Sequence, residues 1–283
     1  MVSRFLKAIN SHPRVGWIGL LLYAALATFP HQPVQWLMNE IALRSSRPQV
    51  YLWSARIGIV EAVILTAVLL FRLRKQETRA EPAIFWIVTF GLIWFTWRAL
   101  TANELEFVHY PQYIPEGIIF VALTLSAAES LAWVVIFGGL DEAFQYAVLS
   151  RLRAAPYDFN DIFMDLLGGA AGVLLGMVFL RCIRRDQPVQ LRKLPGIRVL
   201  LGIVGTGIFL WVTGFMLLFE NKADTRHWFS LSRFTAPAFW FEVVENGPNK
   251  YHTLSPIEGP ILILAAIALY SIIDRRVRIL PPK

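Results

Sequence analysis

The chain has 283 residues, 56% of them hydrophobic, 13% aromatic and only 17% charged, and its mean hydropathy is +0.51. That composition excludes an ordinary soluble domain and implies an integral membrane protein built as one helical domain. The formal charge of +7 does not indicate nucleic acid, because Lys and Arg in a membrane protein mark cytoplasmic loops and meet anionic headgroups. Cys182 is the one cysteine, which excludes an internal disulfide and leaves no thiolate cluster for metal or redox chemistry.

A hydrocarbon core of about 30 Å calls for roughly 20 apolar residues per helical span. In chain order, apolar runs fall at 15–30, 51–71, 82–100, 114–127, 130–149, 160–181, 196–219 and 256–273. The expected fold class is therefore all-α, a polytopic transmembrane bundle of about eight spans. The first run ends in small residues that a signal peptidase favours, but it is long enough to stay as an anchor. The run at 114–127 is short and begins inside a polar stretch. Two further segments, 31–53 and 226–247, mix aromatic, apolar and basic residues as chain lying in a headgroup plane does.

Most of the 27 Lys and Arg fall in four segments, 1–14, 72–79, 181–198 and 275–283. Alternate connections share this bias, so the positive-inside rule places both termini in the cytoplasm. Three divisions follow. Residues 1–103 hold the N-terminal spans, 104–181 a core with a polar rim, and 182–283 a basic cytoplasmic loop, two more spans and an aromatic outer loop.

The polar rim lies on the non-cytoplasmic side in this orientation. Asp141, Glu142 and Gln145 close the fifth run, Arg151, Arg153 and Asp158 follow it, and Asp161 and Asp165 open the sixth; Glu104, Glu106, His109 and Tyr113 precede the fourth. Residues three or four apart share a helix face, so Glu142 with Gln145, Asp161 with Asp165, and His109 with Tyr113 each point two polar groups one way. Asp165 is the acid expected to reach hydrocarbon depth, where it needs a partner, and Arg151 or Arg153 is the expected one. Gly168, Gly172 and Gly176 recur every fourth residue and are expected to let another helix approach closely.

This pattern resembles the VanZ-like family of bacterial membrane proteins. Glu142, Gln145, Arg151, the Asp161-Ile162 pair, Asp165, Gly168 and Gly172 follow one half of the family pattern in order and spacing, and Glu106, His109, Tyr113 and Gly117 follow the other. The resemblance spans roughly residues 104–181, the VanZ-like core. One position departs: the family pattern has Asn where this chain has Asp165, which adds a negative charge. The family takes its name from an accessory protein of glycopeptide resistance that lowers susceptibility to teicoplanin. The resemblance thus implies a multi-pass protein of the bacterial cytoplasmic (inner) membrane, facing the envelope.

Three functions are open to such a chain. The first is non-enzymatic recognition, at the outer rim, of an anionic or lipid-linked ligand such as a cell-wall precursor or lipoglycopeptide. Arg151 and Arg153 would clamp phosphate or carboxylate, with Glu106, His109, Tyr113, Glu142, Gln145, Asp161 and Asp165 completing the site. The second is a membrane-embedded, metal-assisted hydrolase or transferase, since Glu142, Asp161, Asp165 and His109 suit a hard cation; no HExxH or phosphatase signature accompanies them, and no metal or cofactor is assigned. The third is a transporter using Arg56, Glu61 and Arg98, but Arg56 and Glu61 do not share a helix face and no paired broken helices occur.

Overall fold

The computed structural model describes residues 2–28, 40–41, 47–102, 104–149, 157–185, 189–220, 227–232, 236, 238–240 and 250–281. Nine α-helices run through these residues: α1 (Val2–Ser11), α2 (Pro13–Thr28), α3 (Arg47–Leu73), α4 (Ala80–Leu100), α5 (His109–Thr124), α6 (Ala127–Phe144), α7 (Phe159–Phe179), α8 (Pro195–Val212) and α9 (Glu258–Arg276). A 3₁₀ turn, Glu104–Val108, leads into α5, and a wider π-type turn, Gln145–Leu149, extends α6.

Local chemistry explains several boundaries. Ser126 has extended backbone and its side chain accepts from Glu129 N, opening α6. Asp158 opens α7 in the same way, accepting from Asn160 N at 2.9 Å. Pro195 starts α8, where its missing N–H costs no helical bond. That helix stops at Val212, short of the run expected to reach 219, because Gly214 takes φ +78 and its N–H turns back to Trp211 O.

Among the described residues, five helical segments are long and apolar enough to cross a membrane: Leu52–Leu73, Ala80–Leu100, Ala127–Val148, Phe159–Phe179 and Pro195–Val212. The protein is accordingly a mostly helical membrane protein. The other three apolar runs fall on shorter or more polar elements. Pro13–Leu26 is a shorter apolar helix, the 16 residues of α5 extend only about 24 Å, and α9 ends in Asp274, Arg275 and Arg276.

The helix α7 is the hub. Of the residues in its most apolar stretch 94% are buried, against 11% for α3 and α8, which present exposed Ile57, Val60, Val63 and Ile64, and Leu201, Ile203 and Phe209, on their outer faces. Such apolar surface fits lipid rather than water. The glycines explain why α7 and α5 lie so close. A Cβ on Gly168 would strike the Tyr110 carbonyl and one on Gly172 the Ile114 carbonyl, while Gly117 of α5 meets the Gly169 carbonyl. Backbone thus packs on backbone, the small-residue geometry of membrane helices. Gly176 continues the stripe against Val121.

Two short strand pairs, absent from the all-α expectation, form where helices run out into extended chain. After α7, β1 (Arg181–Arg184) pairs antiparallel with β4 (Val277–Leu280) after α9. After α8, β2 (Met216–Phe219) pairs in parallel with β3 (Phe229–Ser232), which lies in one of the two segments expected to be interfacial. Most of the other, 31–53, lies outside the described residues. A buried acid bolts α9 to α6: Asp274, fully buried, accepts from Ser126 Oγ at 2.8 Å, Ala127 N at 2.9 Å and Ala128 N at 2.8 Å. It satisfies amides that a helix start leaves unbonded.

Candidate functional site

His109 is the first residue of α5, and the glycine contact brings it against the start of α7. Its Nδ1 lies 3.0 Å from Asp165 Oδ1 and its Nε2 3.4 Å from Asp161 Oδ2. The two acids stand one turn apart on α7, so a single imidazole bridges both. His109 is 6% and Asp165 1% exposed, which removes water as the alternative partner. Gly138 of α6 makes room for Asp165, because a Cβ there would sit 2.9 Å from Asp165 Oδ2.

The next wall comes from the end of α6. Gln145 Nε2 donates to Glu142 Oε1 at 2.8 Å and, at 3.4 Å, to Asp141 Oδ2. Glu142 and Asp141 are both buried. The π-type turn begins at Gln145; such widenings of a helix re-aim side chains and recur at functional sites. Tyr113, one turn after His109, is buried with Leu20, Phe120 and Val134.

Two acids at the mouth sit outside the spans. Glu106 accepts from Ala102 N at 2.7 Å. Burial, and then the negative charge of Asp161, push its pKa up to about 8. Burial and Asp161 likewise raise Asp158 to about 7, although its cap bond to Asn160 N and the nearby His109 pull the other way.

Sequence reasoning assigned Asp165 an arginine partner; the described partner is His109. Helix periodicity cannot reveal such a contact, since 56 residues separate the pair. Arg151 and Arg153 lie outside the described residues. Among the described residues no Lys or Arg forms an ion pair with Asp141, Glu142, Asp161 or Asp165, so the described site is rich in carboxylate acceptors.

Two residues of this end, Glu116 and Asn160, are not marked as site residues by the sequence. Glu116 on α5 is 2% exposed, and among the described residues its Oε2 has no hydrogen-bond partner; Asp141 Oδ1 and Asp165 Oδ2 likewise lack one there. The signal for Glu116 was available, as an acid inside an apolar run is rarely accidental. Asn160 is the other. Its Nδ2 donates to Leu100 O and to His252 O, each at 2.8 Å, and its Oδ1 accepts from Leu254 N at 2.7 Å. This one amide ties α4, α7 and the chain before α9 together next to Asp161. Nothing in its sequence context marks it except its place beside Asp161.

Chemically, the arrangement is a buried histidine held by two aspartates, with three further carboxylate oxygens that lack donors among the described residues. It can hold a proton or receive hydrogen-bond donors from a bound group. Among the described residues no three His, Cys, Asp or Glu side chains are placed to hold a metal ion. Fold and site together define a helical membrane protein with a buried acid–histidine cluster at one end of its central helix. The chain matches no protein-family model, no curated protein and no solved structure.

Proposed function

We propose that the chain is a VanZ-like, multi-pass protein of the bacterial inner membrane, with both termini in the cytoplasm, that recognises an amphiphilic ligand at the outer end of α5, α6 and α7. The ligand class is a lipid-linked cell-wall precursor or a lipoglycopeptide. One observation carries this reading: among the described residues, Asp165 Oδ2, Asp141 Oδ1 and Glu116 Oε2 are buried without hydrogen-bond partners, and His109 is already held by Asp161 and Asp165. Buried acceptors without donors are costly, and a ligand amine or hydroxyl relieves that cost. The anionic part of the ligand falls in this reading to Arg151 and Arg153. The family resemblance supports the same end of the molecule, because its two half-patterns converge on His109, Asp161, Asp165, Glu142 and Gln145.

Native mass spectrometry of the protein in mild detergent tests this. Wild type is compared with His109→Ala, Asp141→Asn and Arg151→Ala/Arg153→Ala for co-purified lipid-linked precursor and for added teicoplanin. Retention by wild type, lost in the cluster variants but kept in Arg184→Ala, supports recognition. Equal retention by all of them rejects the site. A divalent ion bound at one per chain would instead favour a metal-assisted hydrolase or transferase.

A further inference from the structure

At the other end of α7, about 30 Å from Asp161 by helical rise, the molecule has a second polar feature of opposite sign. A cavity of about 580 Å³ opens there between α1, the α3–α4 turn and the start of β1. Among the described residues, Arg4, Lys7, Lys75 and Arg181 line it with Ser3 and one carboxylate, Glu77. That carboxylate is already engaged, 3.3 Å from Arg181.

The cavity is held open by specific bonds rather than by chance apposition of loops. Gln76 Nε2 donates to Val178 O at 3.0 Å and to Leu180 O at 2.8 Å, and Gln76 Oε1 accepts from Cys182 N at 3.3 Å. The turn is thereby pinned to carbonyls that the end of α7 leaves unbonded. On the opposite wall α1 buries Leu6 and Ile9, and Asn10 Nδ2 donates to Ala122 O at 2.8 Å, while Arg4 and Lys7 stay exposed. Phe179 and Leu180 add apolar lining beside these cations. Cations beside apolar lining, where helices end, fit the phosphate of a lipid whose chains continue along the protein.

We propose that this cavity is a binding site for the headgroup of an anionic phospholipid. It is independent of the cluster at the other end, and the positive-inside reading puts it on the cytoplasmic leaflet. Phosphate supplies the anion that three cations without a described carboxylate partner call for, and the acyl chains cover the exposed apolar face of α3.

The test reconstitutes the full chain into phosphatidylcholine vesicles carrying a minor fraction of phosphatidylglycerol. The protein is then extracted in mild detergent and the ratio of the two lipids retained per chain is measured by native mass spectrometry. Wild type should retain phosphatidylglycerol preferentially. Lys7→Gln should lower that preference about fivefold, and Arg4→Gln/Lys75→Gln by about that factor for each charge. Arg192→Gln/Lys193→Gln, basic residues outside the cavity, should leave it unchanged. Equal losses in the cavity variants and this control would reduce the effect to general surface charge and overturn the proposal. Saturable uptake of inorganic phosphate by lipid-free wild type, with no lipid preference, would overturn the lipid assignment. Lys7 is exposed, and its variant should melt with wild type, so a loss of lipid there is not a loss of fold.

Discussion

His109 Nδ1 and Asp165 Oδ1 lie 3.0 Å apart in a setting where Asp165 is 1% exposed. The pair joins the first residue of α5 to the second turn of α7, and it depends on those helices approaching at their glycines. Removing one member of a buried pair costs about 3–5 kcal/mol, because the survivor stays behind without its partner. Asp165→Ala should therefore destabilise the detergent-solubilised protein by roughly 3 kcal/mol. Asp165→Asn should cost clearly less, since an amide oxygen still accepts from the imidazole. Equal unfolding midpoints for the two variants would show that the oxygen does not matter.

The glycine stripe yields a sharper contrast. A methyl group at Gly172 would collide with the Ile114 carbonyl, whereas Gly205 of α8 has nothing within 4 Å of that position. Gly172→Ala should part α5 from α7 and lower stability by about 1–3 kcal/mol. Gly205→Ala should leave stability unchanged or raise it by up to about 1 kcal/mol, as Ala is the better helix former. Thermal melting of the two variants side by side distinguishes them.

Stability should also depend on pH. A carboxyl whose pKa is raised on folding holds its proton more tightly in the folded state than in the unfolded one, so its contribution is fully present at low pH. Glu106, raised to about 8, and Asp158, raised to about 7, should thus make the protein most stable near the ordinary carboxylate range and progressively less so as pH rises to those values. Glu106→Gln should flatten the upper part of that slope. Melting temperatures measured across the range would show a rise instead if these acids were ionised in the fold.

Asp274 offers a test away from the polar cluster. It accepts three hydrogen bonds at the start of α6 and is fully buried. Asp274→Ala strands those donors and should cost about 2–4 kcal/mol, with faster proteolysis near 124–128. Asp274→Asn keeps an acceptor oxygen and should recover part of the loss; identical behaviour of the two variants would show that the cap is not the source of stability.

Much of this molecule can be read without coordinates, and the limit of that reading is physical. Composition alone implies a membrane protein, because no soluble surface accommodates so much apolar chain. Two of the pairs expected to share a face follow from helical periodicity: Glu142 and Gln145 are hydrogen-bonded, and Asp161 and Asp165 both face His109. The four-residue spacing of Gly168, Gly172 and Gly176 already suggests a close helix contact. Its partner, the backbone of α5 at Tyr110 and Ile114, appears only when the chain is folded.

The end of α8 shows how the two kinds of information differ. Hydropathy continues past Val212, so a count of apolar residues extends the helix to 219, while the positive φ of Gly214 ends it. Hydropathy measures a side chain's preference for lipid and is blind to backbone dihedrals.

By itself, the sequence determined that this is a helical membrane protein with polar groups concentrated between residues 104 and 165, because solvent preference and helical periodicity are local properties of the chain. Tertiary structure alone decided that His109 bridges Asp161 and Asp165, that Asn160 and Asp274 tie distant helices together, and that a basic cavity forms at the far end of α7. Each of those depends on which helices pack and how closely. That is settled by backbone approach at glycines and by buried groups finding donors or acceptors many residues away, neither of which is written into any single segment.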